Sequence, residues 1–284
     1  MIRKYFFEKD LKHKNVIITF EGAFHGRSIT AISALKNYKY MKGFGPFLKG
    51  FKQVPFNDFE ALKKAINKNT AAVLIETIQG EGGVKPVSIN FLKKLRVLCN
   101  EKKIFLFLDE VQCGFGRSGK LFSYEWANIE PDVMAVAKGI GSGFPLGACL
   151  ATDSASIGMT KGTHGSTYGG NPLAISVGNA VLKILLKDDF LQKVDEVARY
   201  FWTKLKQLEN TYDEIVEVRG AGLLLGIKTK NNNVDFSLAL RKNKLLSVTA
   251  DDNVIRFAPP LIISNEEVDK AISIIDQSLK KLND

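Results

Sequence analysis

The sequence lacks the features of a membrane span, of an exported protein and of a transition-metal site. No apolar run approaches the roughly 18 residues that cross a bilayer. Residues 1–8 contain neither the hydrophobic region nor the small-residue cleavage site of a signal peptide. The three cysteines and three histidines have no metal-ligand spacing, and an odd cysteine count disfavours a disulfide framework. These absences predict a cytoplasmic protein with reduced thiols and no bound transition metal.

The chain is basic, yet it has little of the patterning that basic nucleic-acid-binding proteins use. Its net charge is +10 over 284 residues, which first suggests a polyanionic partner. The lysines are scattered along helices and turns, without the interleaved aromatic residues of an RNA-binding sheet. We therefore predict neither a nucleic-acid nor a membrane partner. We expect the positive charge to favour an anionic substrate and cofactor.

Two apolar stretches that each end in a charged residue are the most informative feature. Residues 104–108 precede Asp109 and residues 133–137 precede Lys138, and both stretches are typical of buried strands. Because parallel strands deliver their last residues to one sheet edge, we expect Asp109 and Lys138 to lie side by side. Taken singly, such a lysine is usually a solvated strand end and an Asp-Glu pair is often a helix cap. Together they suit pyridoxal phosphate, which needs a lysine for its Schiff base and an acid for its pyridinium nitrogen.

The order of predicted elements indicates the fold class. Strands and helices alternate along the first two thirds of the chain, which is typical of the α/β class. Right-handed crossovers then predict a mostly parallel, doubly wound central sheet. Long helical patterns follow Pro172, and short strands and a final helix come after them. We therefore predict a large domain over residues 1–187 and a smaller C-terminal α+β domain over residues 188–284.

Helix boundaries can be predicted at three places. Asn57 with Glu60, and Ser264 with Glu267, have the spacing of a capping box at a helix start. Residues 89–102 have the period of an amphipathic helix, which predicts that their leucines face the core.

Six motifs follow one another along the chain: Phe24-His25-Gly26-Arg27, residues 76–83, residues 109–114, Ala137-Lys138-Gly139, residues 164–172 and residues 256–260. Together they resemble the class III, fold-type I, pyridoxal-phosphate-dependent aminotransferases over nearly the whole chain. The resemblance implies pyridoxal 5′-phosphate as cofactor and a homodimer with shared active sites. Members of the family carry a further segment before the position of Met1, with a loop that holds the cofactor phosphate. We therefore expect this chain to be N-terminally truncated relative to the family.

The resemblance implies a set of catalytic and cofactor-binding residues. Lys138 would form the Schiff base and carry the proton, and we expect partial burial to lower its affinity for that proton. Asp109 would keep the pyridinium nitrogen protonated. The other cofactor contacts would come from Phe24 on the ring, Gln112 on the phenolic oxygen, Thr167 on the phosphate across the dimer interface, and the neighbouring Glu110 and Val111. Outside its motif, Phe24 would simply be a core aromatic residue.

A second set of residues is implied for the substrates. Arg27 would clamp a substrate carboxylate, a bidentate task that suits arginine, although a surface arginine is the plain alternative. Ser166 would approach the substrate from a loop that, out of context, is an ordinary turn. Glu81 would neutralise Arg256 in one half-reaction and swing away when glutamate or 2-oxoglutarate brings its own carboxylate.

The implied reaction moves an amino group from N2-acetylornithine to 2-oxoglutarate through a Schiff base, in arginine biosynthesis. Gly82-Gly83 after Glu81 and Cys113 after Gln112 favour this branch of the family. The alternatives are related enzymes acting on ornithine, succinylornithine, succinyldiaminopimelate or 4-aminobutyrate, or an inactive fragment of the fold. A dinucleotide-binding module is disfavoured, because the glycines of residues 139–143 have the wrong spacing.

Overall fold

The computed structural model describes residues 1–35 and 37–283, and the chain divides into two compact units. The first comprises Met1–Thr77, Val87–Gln112 and Tyr124–Leu182, and the second comprises Ile78–Pro86, Cys113–Ser123 and Lys183–Asp284. The two domains predicted over residues 1–187 and 188–284 stay a proposal.

In chain order the strands are β1 (Val16–Phe20), β2 (Phe51–Val54), β3 (Thr70–Glu76), β4 (Ile78–Gln79), β5 (Lys85–Pro86), β6 (Phe105–Asp109), β7 (Val133–Val136), β8 (Ala148–Ala151), β9 (Ile215–Ala221), β10 (Leu224–Thr229), β11 (Val248–Ala250) and β12 (Val254–Phe257). The α-helices are α1 (Ile2–Glu8), α2 (Ile29–Leu35), α3 (Tyr38–Met41), α4 (Phe59–Ala65), α5 (Ile89–Lys102), α6 (Asp153–Ser156), α7 (Pro172–Leu185), α8 (Phe190–Thr211), α9 (Asn233–Lys242) and α10 (Asn265–Asn283). Short 3₁₀-helices span Ser123–Ala127 and Lys138–Gly141.

The first unit is built on a six-stranded sheet in the order β2-β1-β3-β6-β7-β8. All neighbouring strands are parallel except β7 and β8, which are antiparallel. Strand β3 is buried at every position, as expected for a central strand with both faces covered. The predicted α/β class with a mostly parallel central sheet is therefore confirmed.

Alternating residues of this sheet pack into two separate cores. Ile18, Val73 and Leu106 belong to a core that includes residues of α4 and α5. Ala72 and Phe105 belong to another that includes residues of α1 and α6. Because neighbouring positions in a strand point to opposite faces, helices cover both faces of the sheet.

The helix predicted over residues 89–102 is present. Its N-cap is Ser88, whose hydroxyl accepts a hydrogen bond of 3.1 Å from the Phe91 N–H, and Leu92, Leu95 and Leu98 are buried. Its C-cap is Lys103, which has the left-handed conformation that often terminates helices. The amphipathic period was therefore a sufficient guide to this helix.

One predicted capping box is correct and the other is wrong. Ser264 and Glu267 bond each other's backbone N–H groups, as a capping box requires. At α4 the cap is Asp58, whose carboxylate accepts from the Ala61 N–H at 2.8 Å. Asn57 instead accepts a hydrogen bond from the Ser88 N–H, a contact 31 positions along the chain, and it is therefore drawn away from the helix start.

The second unit contains an antiparallel sheet in the order β11-β12-β10-β9. Its buried Val218, Leu225 and Ile255 share a core with residues of helices α8, α9 and α10. Val84, between β4 and β5, packs instead with Leu224 and Val254, at strand positions that point to the opposite face. This face carries the charged residues discussed below.

Residues 113–123 also belong to the second unit, and Arg117 forms hydrogen bonds from this segment to the rest of the unit. Its guanidinium donates to the Leu223 carbonyl oxygen at 3.1 Å and to the Pro259 carbonyl oxygen at 2.5 Å. Burial lowers the pKa of Arg117 to about 10. Gly222 allows the close approach, because a Cβ there would lie 2.5 Å from the Arg117 carbonyl oxygen, at a φ of +57°.

None of the helices in the described part of the chain combines the length and the apolar character that a membrane crossing requires.

Candidate active site

The ends of three neighbouring strands of the first unit bring the predicted acid and lysine to one sheet edge. Glu76, Asp109 and Ala135 lie opposite one another on β3, β6 and β7. Asp109 is the last residue of β6 and is 7% exposed. Lys138 follows the end of β7 by two residues and begins a 3₁₀-helix with a φ of +46°. The apolar strands therefore end as the sequence predicted.

Asp109 is held by two donors in a buried setting. One carboxylate oxygen accepts from the Val111 N–H at 3.0 Å, and the other lies 2.8 Å from Nδ1 of His25. The two side chains are only 10% and 5% exposed. The His25 Nε2 is buried and has no hydrogen-bond partner among residues 1–35 and 37–283. Sequence reasoning did not assign His25, although its place in the Phe24–Arg27 motif was a usable signal.

Two buried glutamates tie this edge together. The Glu76 carboxylate, 5% exposed, accepts from the Phe24 N–H at 2.8 Å. Glu110 is completely buried, and its carboxylate accepts from the Tyr124 N–H at 3.1 Å. The Glu110 N–H in turn donates to the Ala135 carbonyl oxygen at 2.9 Å, which joins the end of β6 to β7. Glu110 thus supports the backbone beside Asp109. The next two residues, Val111 and Gln112, are half-buried.

Arg27 lies against two aromatic rings. Its guanidinium carbon is 4.1 Å from the centre of the Tyr40 ring and 5.4 Å from that of Phe24. The two rings meet edge to face with centres 5.9 Å apart. Arg27 is nevertheless exposed, so its N–H groups can reach a ligand. Tyr40 was missed, because no local pattern relates it to residues 13 and 16 positions earlier.

Lys138 does not have the burial that was expected of it. It is exposed, and so are Gly139, three of the four residues of β8 and the whole of residues 161–170. Few side chains of this single chain therefore cover the amine. Ser166 and Thr167 lie in that exposed loop, which is closed by a bond from the Gly169 N–H to the Ser166 carbonyl oxygen.

The predicted pair of Glu81 and Arg256 is present in the second unit. An Arg256 N–H donates to the Glu81 carboxylate at 2.7 Å, with the arginine side chain 11% and the glutamate 33% exposed. The backbone of Glu81 is also fixed, because its carbonyl oxygen accepts from the Asp251 N–H at 2.9 Å. Glu81 and Arg256 therefore form a partly solvated ion pair, and the backbone of Glu81 is fixed by a hydrogen bond.

In the residues described, no three or more His, Cys, Asp or Glu side chains are grouped to hold a metal ion. In the first unit, the groups available for chemistry are the buried acid Asp109 with its two hydrogen-bond partners, the exposed amine of Lys138 and the exposed guanidinium of Arg27. These groups suit transfer of an amino group between anionic substrates.

Comparison with known proteins also indicates an aminotransferase. Residues 1–279 match the family described as aminotransferase class-III. The acetylornithine aminotransferase of Mesorhizobium japonicum is 51% identical over 283 residues, which cover 99% of this chain and 71% of that protein. The acetylornithine aminotransferase of Agrobacterium fabrum is 52% identical over 281 residues, with 99% and 70% covered.

Solved structures agree with this chain over almost its full length. The ornithine aminotransferase of Toxoplasma gondii, with partial occupancy of PLP at its active site, has a TM-score of 0.94 at 32% identity and covers 99% of this chain and 69% of its own. The N-acetylornithine aminotransferase of Stenotrophomonas maltophilia has a TM-score of 0.83 at 31% identity, with 99% and 70% covered. With a family match over residues 1–279 and relatives half identical along nearly the whole sequence, the chain belongs to the class-III aminotransferases.

Proposed function

We propose that this chain moves the amino group of N2-acetylornithine to 2-oxoglutarate, a step of arginine biosynthesis. Relatives that are named acetylornithine aminotransferase and are about half identical over 99% of the chain support this donor. The observation that carries the chemistry is the buried Asp109, held by His25, at the sheet edge where Lys138 emerges. An acid and an amine at one edge are the two groups that this cofactor chemistry needs.

The cofactor is pyridoxal 5′-phosphate, and the donor set around Asp109 fits it. Each carboxylate oxygen can accept two hydrogen bonds, and the two contacts seen, from Val111 and His25, use one on each. Asp109 therefore has acceptor capacity left for a protonated ring nitrogen. When bound, the cofactor supplies an electron sink for the carbon that loses its proton.

The chain's own residues then have separate tasks. Asp109 would stabilise positive charge at the ring nitrogen, and His25 would orient the carboxylate. Lys138 would hold the cofactor in the resting state. Once the substrate amine has displaced it, the neutral Lys138 amine would move the proton to and from the reacting carbon. Phe24, Gln112 and Thr167 would contact the ring, its phenolic oxygen and the phosphate, while Glu110 and Val111 hold the backbone beside them.

Two arginines would read the carboxylates of the substrates. Arg27 binds the carboxylate of the amine donor with Ser166 nearby. Arg256 binds the additional carboxylate of 2-oxoglutarate or glutamate, and Glu81 neutralises it while the donor, which lacks that carboxylate, is bound. The 2.7 Å contact of Glu81 with Arg256 and the partial exposure of Glu81 support this exchange.

A homodimer is part of the proposal. The first unit exposes apolar residues on helix α7, Leu173 at 63% and Ile175 at 46%, and three of the four residues of strand β8. A second copy of the chain would cover them and would also cover Lys138. Ser166 and Thr167 lie on an exposed loop that can serve the partner's site. We place the protein in the cytoplasm, in keeping with its odd number of cysteines.

The assignment of Lys138 is tested by chemical fixation. The purified chain is incubated with pyridoxal phosphate, reduced with borohydride and digested, and the modified peptide is identified by mass spectrometry. We expect the label on Lys138, and we expect Lys138→Ala to lose the label and at least about 100-fold in kcat. Label on another lysine, or full activity of the variant, contradicts the assignment.

The donor is tested by comparing kcat/KM for N2-acetylornithine, ornithine, succinylornithine and 4-aminobutyrate with 2-oxoglutarate as acceptor. The proposal expects the highest value for N2-acetylornithine. A higher value for another donor assigns the chain to the corresponding branch, and covalent labelling without turnover of any donor identifies an inactive member of the fold.

A further inference from the structure

We propose that Arg219 and Asp252 clamp the turn that carries Glu81, and that this clamp sets how readily Arg256 exchanges Glu81 for a substrate carboxylate. The clamp comprises Arg219, Asp252 and the carbonyl oxygen of Gly83. The inference rests on the proposed roles of Glu81 and Arg256, and it adds positioning residues that the six motifs did not single out.

Arg219 reaches the turn directly. Its Nε donates to the Gly83 carbonyl oxygen at 2.7 Å, and one terminal nitrogen donates to the Asp252 carboxylate at 2.8 Å. The other terminal nitrogen lies 3.3 Å from the Glu217 carboxylate. The Arg219 side chain is 10% exposed. The Arg219 guanidinium therefore has contacts in three directions. Because the group is planar, these contacts together restrict its orientation.

Asp252, which accepts the hydrogen bond from Arg219, is itself held by two lysines. Its carboxylate also pairs with Lys228 at 2.9 Å and with Lys85, in strand β5, at 3.1 Å. Burial raises the pKa of Asp252, but the hydrogen bonds from Lys228, Arg219 and Lys85 outweigh it and hold that pKa well below its ordinary range. The carboxylate therefore remains charged throughout the neutral and mildly acidic range.

The turn itself fits tightly under the clamp. A Cβ at Gly83 would lie 2.6 Å from the Asp251 carbonyl oxygen and 2.8 Å from a terminal nitrogen of Arg219, at a φ of +103°. Val84 is completely buried with a φ of +51°, a strained value for a β-branched residue that persists only when its surroundings enforce it. The turn is therefore held in a conformation that it would not adopt alone.

The sheet register connects the clamp to Arg256. Gly226 on β10 lies opposite Arg219 on β9 and opposite Arg256 on β12, so both arginines stand on the same face. A Cβ at Gly226 would come within 3.0 Å of the Val84 Cβ, which shows how closely the turn sits between them. The clamp thus fixes the backbone of Glu81 relative to Arg256.

A fixed backbone preorganises the ion pair, because less conformational entropy is lost when Glu81 meets Arg256. Loosening the clamp weakens Glu81 as a competitor for Arg256. Dicarboxylates such as 2-oxoglutarate should then bind more tightly, and the amine donor should be disfavoured because Arg256 is left uncompensated while it is bound.

The test uses Arg219→Met in two backgrounds, wild type and Glu81→Gln, in the full chain loaded with its cofactor. One readout is the ratio of kcat/KM for 2-oxoglutarate to that for N2-acetylornithine. The other is the dissociation constant of glutarate, a non-reacting dicarboxylate, by calorimetry. We expect Glu81→Gln to shift both toward the dicarboxylate by about tenfold. Arg219→Met should produce a shift in the same direction in the wild-type background and no further shift in Glu81→Gln.

The matched control is Arg96→Met, which removes another partly buried arginine from an ion pair, here with Asp132 at 2.8 Å. It should lower the thermal midpoint without changing either readout. Gly83→Ala displaces the turn while leaving every charged side chain, so it repeats the test if Arg219→Met does not fold, as judged by circular dichroism. It is expected to shift both readouts as Arg219→Met does.

The outcomes separate the clamp from the proposed function. If Glu81→Gln shifts both readouts and neither Arg219→Met nor Gly83→Ala does, the clamp is overturned and the role of Glu81 stands. An equal shift by Arg219→Met in both backgrounds also overturns it, because the effect would not pass through Glu81. If Glu81→Gln changes neither readout, the proposed role of Glu81 fails and the clamp fails with it.

Discussion

His25 illustrates how much one side chain can decide at a buried acid. A carboxylate that is 10% exposed needs donors, and the Val111 N–H and His25 Nδ1 are those observed on Asp109. An ionised carboxylate is acceptor-only, so the imidazole nitrogen that faces it must carry a proton. His25 therefore contributes a fixed donor and a fixed orientation to Asp109, at a point where the cofactor nitrogen is expected.

We predict that His25→Leu and His25→Asn differ. Leucine removes the donor and leaves Asp109 short of a partner, which costs about 1–3 kcal/mol of stability and weakens retention of pyridoxal phosphate by about tenfold. Asparagine can place an amide N–H near the position of Nδ1 and should retain most of both properties. Equilibrium dialysis for cofactor binding and thermal unfolding of the cofactor-free chain measure the two effects. Equal losses in both variants would contradict a role for the donor.

Tyr40 has a comparable effect on Arg27, the residue proposed to bind a substrate carboxylate. The Arg27 guanidinium is exposed and lies 4.1 Å from the centre of the half-buried Tyr40 ring, and a contact of this kind gains about 0.5–1 kcal/mol at an exposed site. That is enough to bias the conformations of Arg27, but too little to hold it against a ligand. Arg27 is thus directed by the ring and still available to a carboxylate.

At the scale of single elements, the N-terminal cap of the last helix is linked to the core of the second unit. The last helix, α10, begins with a reciprocal capping box, in which Ser264 and Glu267 satisfy two backbone N–H groups that the helix cannot bond. Its buried Val268, Ile275 and Leu279 belong to the core of the second unit. A loss at the cap therefore acts on a helix that this core needs.

We predict that Ser264→Ala lowers the free energy of unfolding by about 1 kcal/mol, because the Glu267 N–H loses its acceptor. The control is Ser273→Ala in the same helix, where the serine is exposed and accepts only a 3.4 Å bond from Gln277. That variant should be neutral, since alanine is the better helix former. Urea unfolding measures both, and equal effects would refute a role for the cap.

At the scale of the whole molecule, the first unit exposes apolar side chains that a second copy of the chain would cover. Leu173 and Ile175 of α7 are 63% and 46% exposed. Three of the four residues of strand β8 and all of residues 161–170, in the same unit, are exposed as well. Where exposed apolar side chains form one patch, that patch is usually a protein interface. A two-fold interface would use the same patch on both copies, so one substitution changes it twice.

We predict a particle of about twice the 31.5 kDa chain mass in light scattering at micromolar concentration. Leu173→Asp should shift it toward the monomer, because burying a leucine contributes about 1.5–3 kcal/mol on each side of the interface. Leu246→Asp is the control, since Leu246 is 81% exposed and belongs to the second unit. A monomeric wild-type chain, or equal effects of both substitutions, would argue against this interface.

Local pattern was enough for much of the fold and for the strand ends that carry Asp109 and Lys138. Central strands are apolar on both faces and helices repeat every 3.6 residues, so β3, β6 and α5 are visible in a short window. Strand β2, with two half-buried residues and one exposed, has no such signal and was not predicted. The motif order further indicated the family, and with it the pairing of Glu81 with Arg256.

Contacts between distant residues were decided only by the tertiary structure. His25 lies 84 positions from Asp109, and Arg219 lies 136 positions from Gly83. The burial of Lys138 was misjudged, because exposure depends on what else packs nearby and not on the apolar strand before it. The sequence alone specified which groups stand at the strand ends, since periodicity is a local property. The hydrogen-bond donors, aromatic rings and ion pairs that hold those groups come from segments distant in the sequence. Their positions depend on how these segments pack, and no short stretch of sequence contains that information.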